Sequence, residues 1–394
     1  MTTDFTYYTP TKVVFGKDAE DQIGSLIQEQ NCKKVLVHYG SGSAKRSGLL
    51  DRIVASLKGA NIKHVLLGGV VPNPRLSKVH EGIELGRKEG VDFILAVGGG
   101  SVIDSAKAIG YGLFHGGEVW DFFSQKRPIT GCIPIGAVLT IAAAGSEMSD
   151  SAVITNEEGD LKRGVNSVYS RPKFAVLDPL LTYTLPTYQT MSGAVDIMMH
   201  TIERYFIEGE TMHLTDEIAE GLLRTVVHFS LVLKDNPKDY DGRANLMWAS
   251  SLSHNGLTGA GNSFRGDWAP HQLEHELGGM FDVAHGAGIA AVWGTWARYV
   301  YKNKPERFAR FGERVLAVKQ TGNVEKDALA AIDAMDDFFR SIDMPTNLRE
   351  LGIEPTKEQI EKLTEKCTFF GTRTLGSMMV LGEKEINDIY TKAK

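Results

Sequence analysis

Histidine is concentrated in one stretch, Asp267 to Gly286 (DWAPHQLEHELGGMFDVAHG), which holds His271, His275 and His285 out of 11 in the chain. A helix over Asp267 to Leu277 places His271 and His275 one turn apart on a shared face. His285 follows a Gly-Gly break, close enough for the chain to fold it back. Upstream, in GAVDIMMHTIERYF, Asp196 and His200 are also four apart, with apolar residues between them. Two such pairs of oxygen and nitrogen donors, on helices that face each other, make a cage for a divalent cation. One carboxylate with two or three imidazoles suits Zn2+ or Fe2+ and leaves room for a substrate oxygen. A single helical histidine is more often a hydrogen-bonded surface or core residue. It is the coincidence of both pairs with His285 that favours a metal.

A second chemistry sits in the first half. Asp92 to Val97 (DFILAV) reads as a strand, opens onto Gly98-Gly99-Gly100-Ser101, and leads into a helix carrying Asp104 and Lys107. Three glycines let a backbone approach a ligand and aim several N–H groups at one anion, and the helix N-terminus adds positive potential. A pyrophosphate is the natural occupant, although the turn is not the G-x-G-x-x-G fingerprint. The turn Tyr39-Gly40-Ser41-Gly42-Ser43 follows another strand, carries no acid, and precedes Lys45 and Arg46. An acid there would hold a ribose 2′-hydroxyl. Small donors backed by two cations suit a 2′-phosphate instead, so NADP(H) is favoured, with NAD(H) as the alternative. After the next strand, Thr140 to Glu147 (TIAAAGSE) offers small residues for close approach and the hydroxyls of Thr140 and Ser146.

Strands and helices must position these turns. Strand readings fall at 5–15, 34–38, 64–68, 92–97, 132–139 and 174–177, with helices at 17–30, 48–58, 76–89 and 102–112. That alternation predicts a parallel α/β sheet whose ligands bind outside the carboxyl ends of the strands. From Pro186 helical periodicity takes over, at 192–206, 216–233, 243–252, 286–301, 326–342 and 356–366. The expected organisation is therefore a dinucleotide-binding α/β domain over 1–185 and an all-helical metal-binding domain over 186–394, the metal facing the cofactor domain across a cleft.

Composition narrows the partners. At 394 residues, with 42% hydrophobic and 23% charged, the chain reads as two ordinary globular domains. A net charge of −6 without a Lys/Arg run argues against a nucleic-acid groove. Cys32, Cys132 and Cys367 are scattered, which implies neither a disulfide framework nor a thiolate site. No signal-peptide pattern opens the chain and no apolar run reaches membrane-spanning length, so a cytoplasmic protein is expected.

With these motifs in hand the chain resembles the iron-containing (group III) alcohol dehydrogenases, which have the dehydroquinate synthase-like fold. The likeness runs from TPTKVVFGK through the Asn73-Pro74 pair, GGGSVIDSAK, GSEM, FAVLDP, DIMMH and HQLEHELGG to VAHG. Within the family it looks most like the NADPH-dependent butanol dehydrogenase and aldehyde reductase branch. The resemblance implies metal ligands at Asp196, His200, His271 and His285, with His275 a nearby non-ligand that orders substrate or relays a proton. It implies pyrophosphate contacts from Gly98, Gly99, Gly100 and Ser101. Asp104, Thr140 and Lys162 would lie near the cofactor, and Ser41 and Ser43 near the 2′-phosphate. A homodimer is usual in the family. Two departures stand out: Ala144-Gly145 replaces the usual threonine-glycine, and Arg265 and Asp267 precede the third ligand.

The expected reaction is hydride transfer between NADP(H) and a small primary alcohol or aldehyde, assisted by Fe2+ or Zn2+. A polyol or glycerol dehydrogenase of the same fold is the alternative within the family. A rival from another class reads His271-Gln-Leu-Glu274-His275 as H-x-x-E-H, an inverted zinc-peptidase motif with Glu274 as base. A non-catalytic nucleotide-binding protein is a third reading and predicts no metal requirement.

Overall fold

A computed structural model describes residues 4–394. The first three residues of the span 1–185 assigned above to a dinucleotide-binding domain lie outside the described residues. Two compact units emerge, Tyr8–Leu185 and Pro186–Lys394, the second including Asp4–Tyr7.

The first unit is built on β1 (Lys12–Phe15), β2 (Lys34–Gly40), β3 (Lys63–Val70), β4 (Phe93–Gly98), β5 (Ile135–Leu139) and β8 (Phe174–Leu177), in the order β1-β8-β5-β4-β2-β3. All five pairings are parallel. Every residue of β4, β5 and β8 is buried, which explains their unbroken apolar runs: helices cover both faces of such a sheet. Val35, Val37, Leu95 and Val97 pack with Ile23, Leu26, Leu49 and Ile53 from flanking helices, and the rings of Phe93 and Phe174 stack at 5.9 Å. From β2 the chain winds out to the edge strand β3, then returns to β4 on the other side of β2. The winding reverses there, and both glycine turns leave the carboxyl ends of these two strands, the position where open α/β sheets take ligands.

Several expectations are corrected here. The strand over 5–15 shortens to β1, because Pro10 has no N–H to donate. The helix over 17–30 is a 3-10 turn, Ala19–Gln22, followed by Ile23–Gln28. An antiparallel hairpin of β6 (Ser151–Asn156) and β7 (Leu161–Asn166) was not anticipated.

The second unit is mostly helical. Its principal helices are Thr187–Tyr205, His213–Asp235, Tyr240–His254, Ala269–Phe281, His285–Val300, Pro305–Leu316, Val324–Ser341, Lys357–Cys367 and Glu383–Lys392. Thr187–Tyr205 is buried without interruption from Thr190 onward and packs against four of the others. The Gly-Gly pair does not break the helix that carries His271. Gly278 and Gly279 lie inside it, and the helix ends at Asp282, whose φ of 53° reverses the chain. Among the described residues no helix is long and apolar enough to cross a membrane.

Candidate functional site

The Thr187–Tyr205 helix puts Asp196, His200 and Glu203 on one buried stripe, at i, i+4 and i+7. The Ala269–Phe281 helix brings His271 in its first turn, and His285 opens the next helix. That last helix approaches closely because Gly286 lacks a side chain. A Cβ there would fall 1.9 Å from the Ser192 carbonyl oxygen. The adjacent Ala287 N–H donates to Ser192 Oγ at 3.2 Å.

The four residues meet at one atom. Asp196 Oδ1 lies 3.4 Å from His200 Nδ1, 3.6 Å from His271 Nε2 and 3.6 Å from His285 Nε2. Metal–ligand bonds of about 2.0–2.2 Å in a tetrahedral site separate donors by roughly 3.3–3.6 Å, so this spacing fits a single cation. Asp196 Oδ1, His200 Nδ1 and His271 Nε2 are buried with no hydrogen-bond partner. Orphaned buried donors and acceptors are costly and call for a ligand. Burial, with neighbouring imidazoles and Arg204, holds His200 well below the usual histidine range, in the neutral form that a metal needs. Burial also opposes charge on His271, but Glu203 and Asp196 outweigh it and raise His271 to about 9. Glu203 and Asp196 therefore favour positive charge at His271, while His200 stays neutral.

Two of these histidines are oriented by carboxylates. Glu203 Oε1 accepts from the His271 backbone N–H at 3.1 Å and from its Nδ1 at 2.6 Å. Glu274 Oε2 pairs with His285 Nδ1. A Cβ on Gly288 would sit 2.8 Å from Glu274 Cγ, so that glycine makes room for the pair. Carboxylate–histidine pairs of this kind fix the tautomer and raise ligand basicity. Glu274 is thus the orienting partner of His285 and not a peptidase base. The donors within 4.8 Å of one another form two groups, Asp196/His200/His271 and Glu274/His275/His285, and His285 links them through its 3.6 Å approach to Asp196 Oδ1; His271 and His275 share neither group, against the H-x-x-E-H reading. The His275 ring lies 5.8 Å from that of His285.

Trp268 and Asp267 shape the surroundings. Trp268 has a φ of 62°, a region that bulky residues rarely adopt, and its ring lies 5.4 Å from His271 with the Arg204 guanidinium 4.6 Å away. Asp267 accepts from Ala269 N at 3.1 Å, Ser377 N at 2.6 Å and Met378 N at 2.7 Å, tying the start of the helix to the 375–381 loop.

In the first unit the helix Gly100–His115 begins at the carboxyl end of β4. Among the described residues no hydrogen bond engages the amides of Gly99, Gly100 or Ser101. These are the orphan donors of a helix N-terminus, suited to a pyrophosphate. Their lack of side chains has a second cause: a Cβ on Gly99 would meet Ile141 at 2.1 Å and one on Gly100 would meet Ala144 at 2.7 Å. The Thr140 N–H donates to Gly98 O at 3.0 Å, pinning the small-residue turn beside the glycines.

Asp104 and Ser146 are committed to the fold. Ser146 Oγ donates to Asp104 at 2.5 Å, and the other Asp104 oxygen accepts from Val153 N at 3.0 Å. Lys107, fully buried, donates to the carbonyls of Ser146, Ser149 and Ser151 at 2.7–3.0 Å. Burial, partly offset by Asp104, Asp150 and Glu147, lowers this lysine to about 8. Lys162 is buried in β7, and Asn73 is buried after β3 with a φ of 51°. Gly40 ends β2. Ser41, Ser43, Lys45 and Arg46 are exposed, with Arg46 beside Gly42 and the Lys45 ammonium 5.4 Å from the Tyr39 ring centre.

The sequence reasoning missed Glu203, Lys107 as a cage, and His254, whose ring stacks on His200 at 3.9 Å. Glu203 was findable, since it shares the stripe of Asp196 and His200. Lys107 and His254 had no local signal, because their partners are remote in sequence.

Comparison with known proteins shows the family. The profile described as "Iron-containing alcohol dehydrogenase" matches residues 10–179, and "Fe-containing alcohol dehydrogenase family, C-terminal" matches residues 190–394. The chain is 40% identical to NADH-dependent butanol dehydrogenase A of Clostridium acetobutylicum over 99% of each chain. It is 35% identical to the NADPH-dependent aldehyde reductase YqhD of Escherichia coli over 95% of each. Among solved structures, NADH-dependent butanol dehydrogenase A from Thermotoga maritima superposes with a TM-score of 0.95 at 40% identity, covering 100% of this chain and 99% of that one.

Proposed function

The chain belongs to the iron-containing alcohol dehydrogenases, pyridine-nucleotide- and metal-dependent oxidoreductases of alcohols and aldehydes, and from that premise we propose that it reduces small, largely apolar aldehydes such as butyraldehyde with NADPH. The observation that carries the reading is the convergence of three imidazole nitrogens within 3.6 Å of Asp196 Oδ1.

In this reading residues 186–394 form the metal-binding catalytic domain. Asp196, His200, His271 and His285 hold Fe2+, or Zn2+ as the alternative that the donor set also accepts. A divalent cation held there supplies Lewis acidity to the substrate oxygen, lowering an alcohol's pKa in one direction and polarising a carbonyl in the other. Glu203 and Glu274 keep His271 and His285 in the ligating tautomer. His275, beside His285, orders the substrate or relays its proton. Residues 1–185 form the dinucleotide-binding domain. The amides of Gly99, Gly100 and Ser101 take the pyrophosphate. Thr140 and the small residues after it leave room for the nucleotide, and Lys107 and Asp104 hold the segment that follows.

The preference for NADPH over NADH rests on the acid-free turn at 39–43 and the exposed Ser41, Ser43, Lys45 and Arg46. The relatives' names cover both cofactors. Three free cysteines support a reducing, cytoplasmic setting, and the family likeness supports a homodimer.

The test is NADPH oxidation with butyraldehyde by purified protein, before and after chelation, with NADH in parallel and a panel of aldehydes and polyols. Activity should vanish on chelation and return with Fe2+ or Zn2+, with NADPH faster than NADH. Turnover untouched by thorough metal removal would rule out the Asp/His centre as catalytic, and a faster rate with NADH would overturn the reading of the 39–43 turn.

A further inference from the structure

We propose that His254 is a positioning residue for the metal centre: by stacking on His200 it does for that ligand what Glu203 and Glu274 do for the other two histidines. The inference rests on the metal-centre reading above.

The three imidazoles are not held alike. His271 and His285 each have a carboxylate on the ring nitrogen that faces away from Asp196. His200 has no such ion pair: its one carboxylate neighbour is Asp196 itself, on Nδ1, and that nitrogen has no hydrogen-bond partner. Rotation of an imidazole about its last side-chain bond is broad and needs an external restraint. His254 supplies a flat one. Its ring lies 3.9 Å from that of His200, with 29° between the planes. The other rings near His200 meet it at steeper angles, His271 at 43° and Trp268 at 59°.

The stack is set by the backbone as well. His254 is the last residue of the Tyr240–His254 helix, which packs on Thr187–Tyr205. Arg204 Nη1 donates to the His200 carbonyl at 2.5 Å and to the Ser253 carbonyl at 3.0 Å. One guanidinium thus clamps the two helices at the level of the two rings, one carbonyl belonging to His200 and the other to the residue before His254. The Trp268 ring covers this guanidinium at 4.6 Å. Register and ring overlap are fixed together, so the stack defines the plane of His200.

The experiment uses the full chain with His254→Ala, His254→Phe and, as a reference for the centre itself, His271→Ala. Three quantities are read: the Zn2+ dissociation constant by competition with a chromophoric chelator, the visible spectrum of the Co2+-loaded protein, and the thermal midpoint of the metal-free protein. His254→Ala should bind Zn2+ about 10-fold more weakly, the scale of losing an outer-shell partner, with altered Co2+ bands. His254→Phe keeps a flat ring and should retain the wild-type affinity and spectrum. If His254→Ala does not fold, His254→Leu fills the volume without a planar face, and the same weakening is expected. Wild-type affinity and spectrum in the Ala or Leu variant would overturn the proposal, even with a lowered thermal midpoint. So would a Phe variant as weak as Ala, since a ring nitrogen and not the stack would then be what the centre needs. Undiminished Zn2+ binding in His271→Ala would instead overturn the metal centre, and this inference with it.

Discussion

Glu203 shows how one side chain sets another's chemistry. One of its oxygens, Oε1, accepts from both the backbone N–H and the ring Nδ1 of His271, so the ring turns Nε2 toward Asp196. Glu203→Gln keeps an acceptor but loses the charge. Zn2+ affinity should fall about 10- to 100-fold, with the metal-free protein still folded. Chelator competition reads this directly, and an unchanged affinity would show that the carboxylate does not tune the ligand. Asp267 carries a pH dependence of the opposite kind to an ordinary salt-bridged carboxylate. Burial, reinforced by Glu203, raises it from 3.8 to about 6, against the three amides it accepts from. A folded pKa above the unfolded one means that the unfolded chain gives up its proton first. Stability from this group is therefore full below about 4 and is lost as pH rises through about 6. The window is worth about 3 kcal/mol at most, from 1.36 kcal/mol per pKa unit. The Asp267→Asn variant cannot ionise. Its thermal midpoint in chelated protein should gain on wild type between pH 4 and pH 7, and a pH-independent difference would place the Asp267 pKa elsewhere.

The helices that carry Asp196, His200 and His271 were legible because each of these residues has a second candidate donor at helical spacing, Asp196 with His200 and His271 with His275. Asp196 and His200 announce their helix, and Glu203 completes the same stripe. What the sequence could not disclose was contact between helices. Gly286 reads as an ordinary small residue after His285, yet it is where two helix backbones meet, and a Cβ there would fall 1.9 Å from the Ser192 carbonyl. Gly286→Ala cannot be absorbed by a flexible side chain, because the obstacle is backbone. It should displace His285 from Asp196, abolish stoichiometric metal binding, and cost about 1–3 kcal/mol as an overpacked core does. Metal analysis and denaturant unfolding check both parts, and a fully metal-loaded alanine variant would refute the close approach. The Gly-Gly pair misled for a related reason. Local sequence marks Gly278-Gly279 as a break, but packing keeps the helix intact to Phe281, and the chain turns at Asp282. The β6–β7 hairpin escaped notice because its strands lack an unbroken apolar run: β7 alone contains Lys162, Arg163 and Asn166. Its attachment through Asp104 and Lys107 to the glycine-turn helix is a tertiary fact with no periodicity.

At the scale of the whole chain, the two chemistries reside in different units. The four proposed metal donors belong to Pro186–Lys394, and the amides proposed for the pyrophosphate belong to Tyr8–Leu185. The alternation of strands and helices in the first half made the sheet legible and with it the ends of β2 and β4 as ligand positions. Which glycine amides lie unbonded there needed the three-dimensional arrangement. A ligand that binds only the folded form stabilises it by RT ln(1 + [L]/Kd), about 4 kcal/mol at a thousandfold excess over Kd. The stabilisation should be read where the donors are. Loading with Zn2+ should slow amide hydrogen exchange in the helices Thr187–Tyr205, Ala269–Phe281 and His285–Val300, because the cation joins three elements that otherwise meet through orphaned polar atoms. Adding NADPH to the metal-loaded protein should slow exchange at 98–103 and in the turn at 41–46. Amides that are orphans at a helix N-terminus exchange quickly until an anion accepts from them, so Gly99, Gly100 and Ser101 should show the largest change. Zn2+ loading that leaves the three helices unaltered would place the cation somewhere other than Asp196. Protection by NADPH that spares 98–103 would mean that the glycine turn is a packing device, required only by Ile141 and Ala144.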